Sequence, residues 1–366
     1  MSLFEAFIRD ENGNRVGQIE DYSNLTFVRR FNAVGTWSLA STPESLSMLT
    51  KKGGIEVYRN GEPHFSGYVR RFHNENGLEL VVSGKNDLMV VEKQLAYPVP
   101  GGAPFSTDYD VRTGIAETII KQFVDVNIGP NAIPARRVPG LSIETDYGRG
   151  GTVTGRARFD KLLELINSLS INGGIGFRIR NLVFETFIPE DKTGTIVFSK
   201  ELGTLGDFAS DIEAGQANYI VCGGSGEGSA RTFVEGSNSE SVLDWGRAEF
   251  FLDKGNTSSA IELNAAILEE LTKQKEKITI TFSPMGTENM RPVDDYDVGD
   301  WVTYIEDGVS TTHQVREMKT TVSSTDGEDI TLAIGTDGAS SDLGTYSKIY
   351  SRVRDIDQRL NAQERR

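Results

Sequence analysis

Cysteine is all but absent: Cys222 is the only one among 366 residues. A single thiol makes no intrachain disulfide, and with no CxxC pair or Cys/His cluster a metal finger is excluded, so the fold must hold by packing alone. Histidine is nearly as scarce. His64, His73 and His313 are scattered, none with a His or Cys at ligand spacing, and no G-x-S-x-G elbow introduces a nucleophilic serine. Carboxylate pairs for glycoside hydrolysis are equally unsignalled, since any acidic chain supplies Asp and Glu residues. No apolar run approaches the roughly 20 residues of a transmembrane helix. The start, Met1 to Gly13, is charged within its first nine residues and does not read as a signal peptide. Together these absences predict a soluble protein made in a reducing cytoplasm, with no enzymatic activity, no cofactor and no required metal.

Acid and glycine are what the chain has in quantity. The 53 acidic residues exceed the 38 basic ones, for a formal net charge of −15, which repels phosphates and argues against tight DNA binding. The same repulsion suits a ring or tube through which DNA slides without sticking; solubility is the alternative use of such a surface. The 39 glycines fit many tight turns between short strands.

Along the chain, the pattern predicts a mainly β protein with an α+β insert. Residues 1–96 read as a first antiparallel β-barrel domain, with hairpin turns at Asn12-Gly13 and Asn60-Gly61, a short helix at Pro43 to Thr50 and another at Asn86 to Gln94. The Pro/Gly-rich stretch Tyr97 to Pro104 opens an α+β domain over residues 97–194. There Val111, Ile115, Ile119 and Phe123 recur at helical spacing behind Asp108 and Asp110. Phe159, Leu162, Leu163, Ile166 and Leu169 do the same and stop at Gly173-Gly174, ahead of a hairpin from Ile175 to Phe187. Residues 195–335 read as a second β-barrel domain with a helical insertion at about 255–290, begun by the capping box Ser259 and Glu262. Residues 336–366 are a flexible lead and a C-terminal helix. In that helix Tyr346, Val353 and Leu360 at heptad a, with Ile349 and Ile356 at d, place Arg352 at g and Asp357 at the following e, where an interchain ion pair can form. Ile at d favours more than two strands, so a trimeric coiled coil is expected; a lone helix packed on its own subunit is the alternative.

Three further stretches could carry chemistry. Gly223 to Gly228 has the glycines of a phosphate cradle but continues as a strand and lacks the Lys-Ser/Thr ending, which predicts a long hairpin turn. Asp294, Asp295, Asp297 and Asp300 crowd one loop, yet Gly299 and Asp300 fall where a calcium loop needs an oxygen ligand and then glycine, so an exposed turn is expected, with ion binding by residues 294–300 left open. The pairs Arg29-Arg30 and Arg70-Arg71 lie in strands, where alternate facing denies them a single nucleic-acid patch. Ion pairs with a neighbouring subunit, or solvated strand faces, are the two readings.

Several ordered segments carry a resemblance. They are Leu25 to Leu39, Gly54 to Gly61 with Phe65 to Val69, Leu80 to Gly84, Gly150 to Thr152, Phe159 to Leu163, Gly173 to Phe177, Val197 to Ser199, Asn218 to Arg231, Arg247 to Phe250 and Val298 to Val302. In this order the chain resembles, over roughly residues 3 to 335, the hub or tail-associated baseplate proteins of bacteriophage tails, in particular the hub-like minor tail proteins of siphoviruses of actinobacteria. The resemblance implies a homotrimer in which two tail-tube-like β-barrels per subunit form a pseudo-sixfold ring at the distal end of the tube. It also implies a virion location after assembly in the host cytoplasm, and passage of viral DNA through the channel without specific binding. The implied partners are the tail tube and distal tail proteins, the tape measure protein and downstream tail-tip or fibre proteins. Many members carry C-terminal hydrolase or receptor-binding extensions, and this chain departs from them by ending soon after Leu360. A β-rich tail protein that binds or hydrolyses host-envelope carbohydrate is the alternative.

Overall fold

The computed structural model describes residues 4–75, 77–98, 109–255, 257–287, 289–323 and 327–335. The chain forms two compact units, one from Met1–Phe208 with Phe282–Ile334 and the other around Ala209–Thr281. The heptad residues Tyr346, Ile349, Arg352, Val353, Ile356, Asp357 and Leu360 lie outside the described residues.

The larger unit is built on one antiparallel path of strands. In spatial order these are Val309–Ser323, Asn24–Arg30, Thr36–Ser41, Glu79–Asn86, Glu62–Glu75, Gly54–Arg59, Phe4–Arg9 and Arg15–Ile19. Turn chemistry sets the local pairings. Asn60 (φ 53°) and Gly61 (φ 82°) both take the left-handed conformation that a two-residue hairpin turn requires. Asp10 Oδ1 accepts from the amides of Asn12 and Asn14 at 2.8 and 2.9 Å, closing the first hairpin around Gly13. Period-two alternation then selects the buried face: Trp37, Leu39 and Ser41 point inward along Thr36–Ser41 and meet Phe27, Ile55, Val57 and Phe65. The indole of Trp37 lies against Gly67 and Gly84, where an added Cβ would come within 2.8 and 2.6 Å of the ring.

Long-range pairing overrides the expected pair of barrels. Val309–Ser323 joins Asn24–Arg30 with Glu317 opposite Arg30 and Ser323 opposite Asn24, so the early and late β-rich stretches share a sheet. Trp301–Glu306 pairs with the first part of Val309–Ser323, Val309 to Gln314, and Val197–Ser199 pairs parallel to Trp301–Glu306. Among the described residues the path is open, and no barrel closes.

Between these stretches, the helices Ala116–Ile128 and Leu162–Gly173 pack on the two-stranded ribbon Asp110–Ile115 and Thr152–Ala157 and on the hairpin Gly176–Arg180 with Val183–Phe187. Gly174 closes the second helix in the left-handed conformation, φ 69°, where the sequence predicts a stop. The first helix starts later than its apolar spacing predicts. Val111 and Ile115 are exposed and belong to a strand, because Val111, Thr113 and Ile115 are β-branched and find the Thr152–Ala157 ladder as partner. Pro43 to Thr50 forms successive turns instead of a helix, with Ser47 N donating to Glu44 O and Leu49 N to Leu46 O. Asn32, itself at φ 51°, ties the sheet to this region: its Nδ2 donates to Ser170 Oγ at 2.7 Å and its Oδ1 accepts from Phe177 N at 2.8 Å.

The smaller unit is a three-stranded sheet in the order Phe233–Ser237, Tyr219–Gly223, Glu249–Asp253, the last pair parallel. One helix, Ala260–Gln274, covers one face through Leu263 and Ile267 against Ile220 and Cys222. Ser259 Oγ accepts from Glu262 N at its start, as the capping box predicts.

Candidate functional site

His64 and His73 lie on one strand, Glu62–Glu75, and His313 on Val309–Ser323, and they make no common site. His64 is buried against the rings of Phe4 and Phe27, and burial together with the charges of Arg29, Arg59, Arg180 and Arg178 pushes its pKa far below the usual imidazole value. Burial also lowers the pKa of His313, whose Nε2 lies 2.9 Å from Thr311 Oγ1. His73 lies exposed on Glu62–Glu75. Cys222 is in the core of the smaller unit, its thiol pKa raised by burial. Among the described residues, no group of three or more His, Cys, Asp or Glu side chains is arranged to hold a metal ion.

The glycine segment Gly223 to Gly228 is a hairpin connection, as its continuation predicts. Its amides point inward rather than at a ligand: Gly224 N donates to Thr232 O at 2.8 Å and Ser225 N to Thr257 O at 2.7 Å. The carbonyls of Gly223 and Gly224 accept from the Arg231 guanidinium at 3.0 and 2.8 Å.

Each carboxylate of the acidic turn has work inside the larger unit. Asp294 pairs with Arg59 at 3.0 Å, and Asp295 accepts from the backbone and side chain of Arg291. Asp297 pairs with Arg29 at 2.8 Å. Asp300 accepts from Glu190 N and Asp297 N, both at 2.9 Å. Burial would raise the Asp297 pKa, but Arg29 and the Val298 amide hold it below the usual range; burial and the neighbouring Asp297 leave Asp300 raised. A calcium ion would have to displace these donors. We therefore expect calcium and chelator each to leave the melting temperature unchanged, while Asp297→Asn lowers stability by about 1–3 kcal/mol by unpairing Arg29. A calcium-dependent rise of several degrees, lost in the variant, would show a metal loop instead.

The paired arginines are spoken for within the subunit. Arg29 pairs with Asp297 and Arg30 with Glu317 at 2.6 Å, so both are used inside the subunit, and neither the cross-subunit nor the solvated reading describes them. Arg70 and Arg71 are solvent-exposed at a bulge opposite Gly84 and Ser83.

Two buried charge clusters carry no sequence signal beyond residue type. Arg9 and Asp87 form an ion pair with both side chains fully buried; Arg9 also lies 4.7 Å from the centre of the Tyr68 ring, and Ser66 Oγ donates to Asp87 at 2.6 Å. Glu117 accepts from Lys121 Nζ at 2.6 Å, Arg149 N at 2.6 Å and Thr186 Oγ1 at 2.9 Å, while Lys121 and Arg149 also reach Glu144. The spacing of four between Glu117 and Lys121 is the one local signal in the chain for either cluster. These clusters hold elements of the larger unit together.

The fold is that of phage tail proteins. Solved structures with the same architecture include prophage tail protein gp18 from Listeria monocytogenes EGD-e, at 14% identity and TM-score 0.57, covering 96% of this chain and 99% of that one. The 43 kDa tail protein of prophage MuSo2 from Shewanella oneidensis shares 11% identity at TM-score 0.59, covering 90% and 98%. A tail protein from Neisseria meningitidis MC58 shares 12% at TM-score 0.55, covering 92% and 97%. Among curated proteins none matches the sequence. The chain belongs to the siphovirus ReqiPepy6 Gp37-like protein family, whose sequence model matches residues 5–336.

Proposed function

We propose that this protein is a structural hub of a phage tail tip or baseplate, acting as a homotrimer whose ring continues the tail tube and lines the channel for viral DNA. The observation that carries this reading is the family match over residues 5–336. A tail-protein fold along nearly the whole chain supports it. The open strand path of the larger unit is consistent with tube-like modules completed by neighbouring copies, since a sheet with free edges is a ready template for another chain. Three copies carry a formal −45, three times −15, and like charge on a lumen keeps the genome from adhering as it passes. Tail tube, distal tail, tape measure and tip or fibre proteins would then be its neighbours in the virion, with no enzymatic step of its own.

In this reading the heptads from Tyr346 to Leu360 hold the trimer, with Arg352 and Asp357 pairing across its seam. The solution mass by light scattering should equal three times the chain mass of 40.2 kDa. Replacing Val353 and Ile356 with Asp buries charge in the seam and should reduce the trimer to smaller species. A trimer unchanged in the double variant removes the helix as the assembly element, and a stable wild-type dimer removes the hub reading.

One observation bears on the alternative of host-envelope carbohydrate binding. The uncovered face of the smaller unit's sheet presents Phe233 and Phe251, each about half exposed, beside Tyr219. Arg231 and Arg247 lie over these rings, at 5.7 and 5.5 Å from Phe233 and Phe251 and 3.6 Å from Tyr219. Guanidinium groups so placed occupy the ring faces on which a sugar would stack, which favours the hub. Binding or release of cell-wall fragments, assayed directly, separates the two.

A further inference from the structure

A cleft in the larger unit concentrates guanidinium groups beyond what its internal pairs use. It lies where Gly176–Arg180 meets Asn24–Arg30 and Glu62–Glu75, and is lined by Arg29, Arg30, Arg178 and Arg180 with His64, Phe187 and the carboxylate of Asp297. Four cations there share three carboxylates. Arg29 takes Asp297 and Arg30 takes Glu317, but Arg178 and Arg180 divide one, Glu185, at 3.2 and 2.5 Å. Outside the cleft, Arg59 is matched by Asp294 and Glu328. The Nε of Arg29 is buried and donates to no acceptor of the chain, while the Nε of Arg178 lies 3.2 Å from Glu185 without the alignment of a hydrogen bond. Buried donors without acceptors are rare, and a planar guanidinium presents its donors in the fork that oxyanions match. Phe187, 4.8 Å below Arg178, backs that guanidinium from the other side.

We infer that this cleft is a binding site for a single oxyanion, one phosphate or carboxylate group, held by Arg29, Arg178 and Arg180. Three guanidinium groups around one small cleft suit one such group. Arg178 and Arg180 remain about one-third exposed, so the group can enter from solvent. Burial first, and then Arg29, Arg59, Arg180 and Arg178, lower the pKa of His64 beside the cleft. The inference does not depend on the hub reading, since it concerns one subunit's interior surface.

The test is a thermal melt of the full chain titrated with sodium phosphate, with an acetyl-capped dipeptide bearing a free C-terminal carboxylate, and with sodium chloride at matched ionic strength. At about ten times its dissociation constant a ligand should raise the melting temperature by about 3 °C, saturably. Whichever of phosphate and peptide acts at lower concentration names the source. Arg178→Gln, which leaves Glu185 with Arg180, should abolish the saturable rise. Selenate soaked into wild-type crystals should give an anomalous peak between Arg29, Arg178 and Arg180, which keeps the test decisive if the variant does not fold. Equal effects of phosphate, peptide and chloride, an unchanged titration in the variant, or no selenate in the cleft overturns the inference.

Discussion

Asp87→Ala is expected to be the most damaging single change in the larger unit, lowering stability by about 3–5 kcal/mol, because it leaves the Arg9 cation buried with no counter-charge. Both side chains are fully buried, and the substitution also strips Ser66 Oγ of its acceptor. Arg9 stands on the Phe4–Arg9 strand, and Asp87 follows Glu79–Asn86, where its amide donates to Ser66 O at 3.1 Å. The pair therefore joins distant segments through the sheet's interior, and its loss should loosen their packing together. Denaturant melts of the wild type, Asp87→Ala and the double replacement Arg9→Met with Asp87→Leu would measure this. The double variant should recover most of the loss, since removing both charges removes the buried imbalance. A single variant within about 1 kcal/mol of wild type would mean that water or another acid reaches Arg9.

The second large effect concerns Glu117, whose removal as Glu117→Gln should lower stability by about 2–3 kcal/mol at neutral pH. Burial alone would raise its pKa, but donation from Lys121, the Arg149 amide and Thr186 outweighs burial and holds it at about 2. The sign follows from linkage. A carboxylate whose folded pKa is depressed contributes stability that is complete above its unfolded pKa of about 4.3 and is lost as pH falls through the folded value. Wild-type stability should thus decline between about pH 4.5 and pH 2, and the gap between wild type and Glu117→Gln should narrow across that window. Chemical denaturation at stepped pH reads both. A gap that stays constant down to pH 2 would show that Glu117 acts through packing rather than charge.

What the sequence by itself determined is whatever a few neighbouring residues decide. Asn60-Gly61 and Asp307-Gly308 both adopt the positive φ values that their residue types favour, and the strands on either side pair as hairpins. Ser259 and Gly174 begin and end their helices for equally local reasons, an orphan amide in need of an acceptor and a left-handed residue without a Cβ. The acidic balance and the lack of nucleophile or metal spacing are likewise readable without coordinates, and the ordered weak motifs were enough to point to the tail family that the match over residues 5–336 identifies.

Tertiary structure decided the rest because its choices compare partners far apart in the chain. Asp110–Ile115 has helical apolar spacing, yet becomes a strand because Thr152–Ala157 offers it a ladder. Val309–Ser323 pairs with its own neighbour Trp301–Glu306 and, with no barrel closed among the described residues, also with Asn24–Arg30. That one pairing brings Glu317 to Arg30, and the same unit brings Asp297 to Arg29, turning two candidate interface cations into internal ones. The pairing of Arg9 with Asp87 and the crowding of Arg178 and Arg180 on Glu185 are of the same kind. A charge's partner is set by which buried surfaces the whole sheet brings into contact, and the free energy of that choice is spread over many strands rather than written at any one residue.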